Sequence, residues 1–262
     1  MKVFLMGKNL DDIAPLLPQY DFNVVPTIGD AELLIAHGGD GTLLQAVRAV
    51  PSDMPIWPIR DAATAKCCPF HDYRKLLERF QTGNIRLRQM PKLVGSYGGE
   101  SRYAINDIFI HNETRFSALR YQVLIDDELY ANEIVGDGVG MATVHGSTAY
   151  YRSITHSIFR VGVGLAFSNS TEEVSHLVLP ENVRVKIRIV RGPGCMIADN
   201  SPDFLRIPEG GEVLLQQASE KALVYGIMDF MCPECRLLRH PNKYPAHYFA
   251  RYAEAHPQME KQ

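Results

Sequence analysis

Two short stretches of this chain combine glycine with acidic or hydroxyl side chains, and the first could do phosphate chemistry. It reads His37-Gly38-Gly39-Asp40-Gly41-Thr42, so that three glycines stand within four positions. Glycine lets a backbone come close to a ligand, and the exposed N–H groups of such a turn attract phosphate oxygens. An aspartate there would repel a phosphate unless it bound a metal ion or took a proton from an attacking hydroxyl. Asp40 is therefore the candidate catalytic group, and a cap on the following helix is the alternative.

The second stretch, from Gly136 to Tyr150, concentrates small, hydroxyl-bearing and acidic residues. Asp137 could bind a ribose or an amide group, and the backbone near Gly146 could approach a ligand closely. Tyr150 offers a flat wall for a heterocycle. This composition is typical of a binding site.

The elements around Asp40 must place it at the edge of a sheet. The segment 32–36 is predicted to be a strand and 43–50 has helical spacing, so the turn between them lies at a strand's carboxyl end, where open α/β sheets bind ligands. Along the first ninety residues, apolar runs alternate with helix-period segments, which predicts an α/β, Rossmann-like domain with a parallel sheet. The predicted strands are 2–6, 22–25, 32–36 and 56–59, and the predicted helices are 11–17, 42–50 and 72–81, with Gly83 as the stop of the last.

The rest of the chain favours strands. Residues 183–189 alternate apolar and basic side chains with period two, and Tyr121, Val123 and Ile125 repeat the alternation before a hairpin turn at Asp126-Asp127. Further strands are predicted within 159–167 and 212–227. We therefore expect an α/β domain over 1–90, a β-rich, β-sandwich-like domain over 91–230, and a helical tail over 231–262 that packs back on the body.

Composition excludes several partners. The formal net charge is −3 and the pI is near 6.3, which do not provide the basic surface that nucleic-acid binding needs. We find no signal-peptide core and no apolar run of membrane-spanning length, so we expect a cytoplasmic protein without membrane contact. Cys232-Pro-Glu-Cys235, with His240 or His247, looks like half a zinc site, but no second such pair completes it, so we predict no metal held by the protein itself.

The two stretches together resemble the NAD kinase family. Its members pair a Gly-Gly-Asp-Gly-Thr turn with a later acidic-Gly segment that leads into Thr-x-x-Gly-Ser-Thr-Ala-Tyr, and this chain has both, at residues 38–42 and 143–150. The first motif also occurs in lipid kinases of the diacylglycerol type, whereas the second is more specific. A third family element is an Asn-Glu pair on a strand, which Asn106-Asp107 matches best because of its apolar flanks, ahead of the literal pairs Asn112-Glu113 and Asn132-Glu133. A later Leu-Pro and a turn aspartate are matched by Leu179-Pro180 and Asp199.

The resemblance implies that the chain phosphorylates the adenosine-ribose 2′-hydroxyl of NAD, with ATP or polyphosphate as donor and Mg²⁺ accompanying the nucleotide. Asp40 would activate the hydroxyl, and Asp137 would reach the nicotinamide end in a site shared between subunits of a homodimer or homotetramer. The implied donor-phosphate contacts are Gly38, Gly39, Gly41 and Thr42. The implied contacts to NAD are Asn106, Asp107, Asp137, His145, Thr148, Ala149, Tyr150 and Ser153.

One segment departs from the family. Where relatives carry Gly-x-Asn-x-Gly-x-Leu-Gly-Phe, residues 58–68 of this chain contain neither glycine nor asparagine. Arg60 and Lys66 could replace backbone N–H groups as phosphate contacts, and a rebuilt surface loop is the alternative. The sequence therefore leaves open a weakly active or inactive dinucleotide-binding homologue, or a lipid or nucleoside kinase of the same superfamily.

Overall fold

The computed structural model describes residues 1–65, 68–114 and 116–233, and these form two compact units. The first unit contains residues 1–89 together with the described residues from Leu223 onward, and the second contains Met90–Ala222. The predicted helical tail over 231–262 lies almost wholly outside the described residues. The predicted second domain ran to residue 230, whereas the structure returns the chain to the first unit eight residues earlier, because a single 14-residue strand leads from one unit into the other.

The first unit is an α/β layer, as the alternation of apolar runs and helix-period segments predicted. Its elements are β1 (Lys2–Gly7), β2 (Asn23–Val24), β3 (Leu33–His37), α1 (Asp40–Ala49), β4 (Ile56–Ile59) and α2 (Tyr73–Gln81). Strands β2, β1, β3 and β4 pair side by side and all run parallel. Strand β3 is buried along its whole length, as expected of a strand covered on both faces.

Two helical predictions in this unit had different outcomes. Helix α2 forms as expected, with the Asp72 side chain capping its start and Gly83 in the left-handed region just past its end. The predicted helix over 11–17 is wrong, because the chain forms two short 3-10 helices, Leu10–Asp12 and Leu17–Tyr20, instead. Pro15 and Pro18 lack the N–H groups that a continuous helix would need there.

The second unit is a β-sandwich. Its elements are β5 (Leu87–Tyr97), β6 (Glu100–Ala104), β7 (Asp107–Asn112), β8 (Leu119–Ile125), β9 (Glu128–Gly136), β10 (Gly138–Ala142), α3 (Tyr150–Thr155), β11 (Val163–Ser168), β12 (His176–Leu179), β13 (Arg184–Arg191), β14 (Gly194–Ala198), β15 (Leu205–Ile207) and β16 (Glu212–Tyr225), which α4 (Ile227–Phe230) follows in the first unit. One antiparallel sheet has the order β12-β11-β10-β7-β14-β15. The facing sheet contains β9, β8, β13 and β16, and one apolar core fills the space between the two sheets.

The β-hairpin of β8 and β9 forms where the sequence predicted it. Asp126 and Asp127 both take positive φ, as the tight hairpin turn requires. The pair Asn106-Asp107 was expected to lie on a strand, but β6 ends at Ala104 and β7 begins only at Asp107. Asn106 therefore lies in the bend before β7 rather than within a strand.

Candidate active site

The turn from Gly38 to Thr42 lies at the carboxyl edge of the parallel sheet in the first unit. Strands β1, β3 and β4 end at Gly7, His37 and Ile59, so their following loops emerge together. Two backbone hydrogen bonds tie these ends, from Lys8 N–H to the His37 carbonyl at 2.9 Å and from Gly38 N–H to the Ile59 carbonyl at 2.8 Å. The turn thus occupies the ligand-binding edge expected of an open α/β sheet.

Sterics explain why position 38 is a glycine. Its φ is +151°, and a Cβ there would overlap Oγ1 of Thr42 in the first turn of α1. Gly39 is the N-cap of α1 and Asp40 is its first residue, so the alternative of Asp40 as the helix cap is wrong.

Asp40 is paired with Arg60. The Arg60 side chain is fully buried, whereas the Asp40 side chain is 58% exposed, and Nη2 of Arg60 lies 3.0 Å from Oδ1 of Asp40. At its buried end the guanidinium donates from Nε to the Phe230 carbonyl at 2.8 Å and lies 4.0 Å from the centre of the Phe230 ring. The planar guanidinium is thus anchored on one side and holds a solvent-accessible carboxylate on the other.

The segment after β4 is built into this turn. Asp61 is buried, and its carboxylate accepts hydrogen bonds from the Asn9 side chain at 2.8 Å and the Thr64 N–H at 3.1 Å. Thr64 in turn packs against Gly39. The alternative of a rebuilt surface loop is therefore wrong for Arg60 and Asp61. Lys66 lies outside the described residues, and a direct contact of Arg60 with donor phosphate stays a prediction.

Two other residues at this edge of the sheet, His37 and Lys8, were not predicted to have a role in the site. His37 is fully buried, and its ring nitrogens contact the Lys8 carbonyl at 2.6 Å and the Tyr73 hydroxyl at 3.1 Å. Burial, with Asp12 and Asp61 nearby, raises the pKa of Tyr73 to about 12, so this hydroxyl keeps its proton. Lys8 itself is exposed on the loop after β1. Lys8 is a cation that directly follows the first strand of a parallel sheet, and this position is the sequence signal that could have singled it out.

In the second unit, Asp199 organises the bend that carries Asn106. Its carboxylate accepts hydrogen bonds from the backbone N–H groups of Ile105 at 3.0 Å, Asn106 at 2.8 Å and Asp107 at 3.2 Å. Asp199 also donates its own N–H to the Asp107 carbonyl at 2.8 Å. The turn aspartate matched to the family thus fixes the bend in front of β7.

The second motif packs directly on this bend. Thr143 donates its hydroxyl to the Ile105 carbonyl at 2.6 Å and its N–H to the Asn106 carbonyl at 2.8 Å. Gly146 lies so close that a Cβ there would overlap the Asn106 backbone, with 2.6 Å to its Cα. The structure therefore brings the Asn106-Asp107 pair and the Gly136–Tyr150 segment together. Of the literal pairs, Asn132 and Glu133 contact the neighbouring strand β8 through exposed side chains, and Asn112 braces a loop through the carbonyls of Thr114 and Ser117.

Asp107 has a strongly perturbed carboxyl group. Burial, with the nearby negative charge of Asp199 adding to it, raises the pKa of Asp107 to about 8. This carboxyl is therefore mainly protonated at neutral pH and can donate a hydrogen bond as well as accept one. Perturbed groups of this kind are common in ligand sites.

An aromatic wall continues from Asp107 along one face of β7. Period-two alternation puts Phe109 and His111 on the same face, and Tyr150 packs over both, with ring centroids 4.8 Å from Phe109 and 5.6 Å from His111. Tyr150 keeps 41% of its surface exposed. Burial lowers the pKa of His111, although Asp137 nearby opposes this. His111 was not among the predicted contacts, and the two-residue steps from Asp107 to Phe109 and from Phe109 to His111 were the available signal.

The remaining predicted contacts lie around this wall. Asp137 joins β9 to β10 and accepts a hydrogen bond from the Asn169 side chain at 2.9 Å. Gly146–Thr148 is a short 3-10 helix, flanked by His145 and Ala149, that leads into α3, and Thr148 in it is exposed. Ser153 is exposed one turn into α3, and its hydroxyl lies 3.5 Å from the Ala149 carbonyl. All eight predicted NAD contacts thus lie in the second unit.

Glycines under the wall have a packing role. Gly140 on β10 stands beside Phe109, whose ring would collide with any side chain at that position. Gly164 on β11 likewise leaves room for the Tyr151 ring, which anchors α3 on the sheet. These two glycines therefore set how closely the aromatic wall and helix α3 approach the strands.

Known NAD and NADH kinases are similar to this chain in sequence or in fold. No protein-family model matches the chain. It is 26% identical to the NAD kinase of Clostridium perfringens over 201 residues, which cover 72% of each chain. Its fold is similar to yeast NADH kinase complexed with NADH, with a TM-score of 0.71, 18% identity and coverage of 86% of this chain and 83% of that one. It is equally similar to an NAD kinase from Archaeoglobus fulgidus in complex with ATP, with a TM-score of 0.71, 15% identity and coverage of 88% and 96%. Within the described residues, no helix has the length and hydropathy of a membrane span.

Proposed function

The chain is a divergent member of the NAD kinase family and therefore a kinase, and on this premise we propose that it transfers the γ-phosphoryl group of ATP to the 2′-hydroxyl of the adenosine ribose of NAD, giving NADP and ADP. Polyphosphate is the alternative donor. The observation that carries the proposal is the pair of Arg60 and Asp40, because it presents an oriented and accessible carboxylate beside a glycine-rich phosphate turn.

The proposed step needs one proton acceptor. The ribose 2′-oxygen forms a bond to the γ-phosphorus while its proton passes to the Asp40 carboxylate. The bond between the γ-phosphorus and the bridging β,γ-oxygen breaks, and ADP leaves with the electron pair. Phosphoryl transfer has a loose transition state, so alignment contributes most of the acceleration, and a positioned base adds about 10²- to 10⁴-fold. A base held in one orientation by a buried guanidinium suits this task.

The glycine-rich turn is assigned to the donor. Gly39, Asp40 and Gly41 stand at the start of α1, where the helix dipole favours anions. ATP enters as its magnesium complex, and Mg²⁺ keeps most of its ligands from phosphate and water, so a single accessible carboxylate such as Asp40 is compatible with it. The segment that follows β4 supports this turn, because Thr64 packs against Gly39 and its N–H donates to the Asp61 carboxylate.

The aromatic wall is assigned to the adenosine of NAD. Tyr150 offers a partly exposed ring on which adenine can stack. Asn106, in the bend on which the Gly136–Tyr150 segment packs, has an amide that can bind the adenosine. Asp107, which holds its proton at neutral pH, can both donate to and accept from ribose hydroxyls. Because the segment 143–150 is more specific to this family than the glycine turn, it argues against a lipid acceptor.

A coupled assay separates the candidate functions. The protein is incubated with NAD, MgCl₂ and either ATP or polyphosphate, and NADP is detected by an NADP-specific dehydrogenase. NADP formation supports the proposal, and the two arms identify the donor. Absence of NADP with both donors, together with calorimetric binding of NAD, would leave a dinucleotide-binding protein without transfer activity.

We further propose that the active form is a cytoplasmic homodimer or homotetramer. This rests on the family resemblance, in which the residue matched to Asp137 contributes to a site shared between subunits. Asp137 is half-buried at the junction of β9 and β10 and is joined to Asn169. Light scattering on the purified protein measures the assembly directly, and a monomer at the concentration of the activity assay would exclude a shared site.

A further inference from the structure

A cluster of two cysteines and one histidine lies in the first unit. The Sγ atoms of Cys68 and Cys232 and a ring nitrogen of His71 all lie within 4.8 Å of one another. All three residues are buried, with exposed fractions of 6% for Cys68, 5% for Cys232 and 7% for His71. The two cysteines are separated by more than 160 residues of sequence, so the fold and not the local sequence brings them together.

From this cluster we infer a Zn²⁺ site formed by Cys68, His71 and Cys232. The two Sγ atoms are 3.9 Å apart. A disulfide would need about 2.05 Å between them. Two thiolates at about 2.3 Å from a tetrahedral zinc ion lie about 3.8 Å apart, which agrees with the observed separation. Thiolate and imidazole are also the ligands that Zn²⁺ prefers over Mg²⁺ or Ca²⁺.

Local backbone structure presents the ligands in a suitable way. Cys68 and His71 stand at Cys-x-x-His spacing on a short 3-10 turn, with the His71 N–H donating to the Cys68 carbonyl at 3.1 Å. Cys232 follows α4, with its N–H donating to the Asp229 carbonyl at 3.2 Å. Cys235 stands in Cys-x-x-Cys spacing with Cys232, but it lies outside the described residues, so the three described ligands carry the proposal.

The metal would join two segments that also hold the candidate base. Cys68 is the last residue of the segment 58–68, which departs from the family pattern and also contains Arg60. Cys232 lies two residues after Phe230, whose carbonyl anchors Arg60. Binding converts two thiols to thiolates and releases two protons, after which one Zn²⁺ links the segments. The ion is structural, because it holds Cys68 and His71 against the residue that follows α4 by two positions, Cys232. This role does not depend on the proposed function.

Metal analysis of the full chain tests the site. The protein is purified without chelator, exposed to ZnCl₂ and desalted, and zinc is measured by mass spectrometry. We expect about one zinc per chain for the wild type, and less than about one tenth of that for Cys68→Ser, His71→Ala and Cys232→Ser. Cys195→Ser is the matched control, because Cys195 lies half-buried on β14 in the second unit. Its zinc content should equal that of the wild type.

Two results would overturn the inference. One is a wild-type protein that retains no zinc, and the other is zinc content that is unchanged in all three ligand variants. If those variants do not fold, cobalt substitution of the wild type decides the question. Thiolate-to-cobalt charge-transfer bands together with tetrahedral d–d bands support the site, and a spectrum of hydrated cobalt excludes it.

Discussion

Replacing Arg60 by methionine isolates what holds the Asp40 carboxylate in place. Methionine keeps much of the side-chain volume but removes the guanidinium, so both its anchor on Phe230 and its contact with Asp40 are lost. We expect the variant to be less stable and slower in phosphoryl transfer. Chemical denaturation measures the first effect, and kcat in the coupled NADP assay measures the second.

The two ends of Arg60 contribute unequally to stability. Asp40 is 58% exposed, so water screens the ion pair, which contributes at most about 1 kcal/mol. At the buried end, the charge-assisted hydrogen bond to the Phe230 carbonyl contributes about 1.5–3 kcal/mol, and the contact of the guanidinium with the Phe230 ring about 1–2 kcal/mol. We therefore expect the free energy of unfolding to fall by about 2.5–6 kcal/mol. Loss of carboxylate orientation should lower kcat about 10- to 100-fold.

Two controls show whether Arg60 acts through Asp40. Arg74→Met removes an exposed arginine of the same unit, bonded to Gln19, and should change neither quantity appreciably. In an Asp40→Asn background, Arg60→Met should lower kcat by less than about threefold further, because its effect has already been removed. An Arg60→Met protein with wild-type stability and kcat would refute this reasoning.

Three further predictions concern the second unit. Tyr150→Ala should weaken NAD binding by at least about tenfold in calorimetry, since it removes the stacking wall, and equal affinities would show that the wall does not bind the dinucleotide. Gly146→Ala should push the Asn106 backbone away and lower the free energy of unfolding by about 1–3 kcal/mol in urea denaturation, whereas Gly29→Ala, with open space at its Cβ, should be neutral. Because the folded pKa of Asp107 is raised to about 8, this carboxyl keeps its proton in the folded state but loses it on unfolding above pH ~4. Stability should therefore fall as pH rises from about 4 to about 8, and Asp107→Asn should lack this component. A pH dependence that is identical in wild type and variant would exclude a raised pKa at that position.

Local patterns predicted the frame of the site well. The glycine turn between β3 and α1 follows from an apolar run, three glycines and a helix-period segment, all within twenty residues. The hairpin at Asp126-Asp127 and the Asp72 cap of α2 are also decided by neighbours in sequence. Such features are predictable because the interactions that form them are short in range.

Contacts between distant residues were not predictable in the same way. The sequence predicted Arg60 as a phosphate contact, with a rebuilt surface loop as the alternative. It gave no sign of the buried anchor of Arg60, because only the fold brings the Phe230 carbonyl to it from 170 residues away. Cys232 looked like half a metal site because no second Cys-x-x-Cys pair is present, and only the fold brings Cys68 and His71 to it from more than 160 residues away. The break before β7 depends on Asp199, which lies more than 90 residues further along the chain. Periodicity and spacing carry no information about such pairs.

The central claim is that Asp40 accepts the proton of the NAD 2′-hydroxyl. The most direct measurement compares wild-type protein with Asp40→Asn in the coupled NADP assay, alongside calorimetric titration with NAD. We predict that kcat falls at least about 10²-fold while NAD affinity changes by less than about threefold, because the carboxylate acts mainly on the transition state. An Asp40→Asn protein that forms NADP at the wild-type rate would contradict this account.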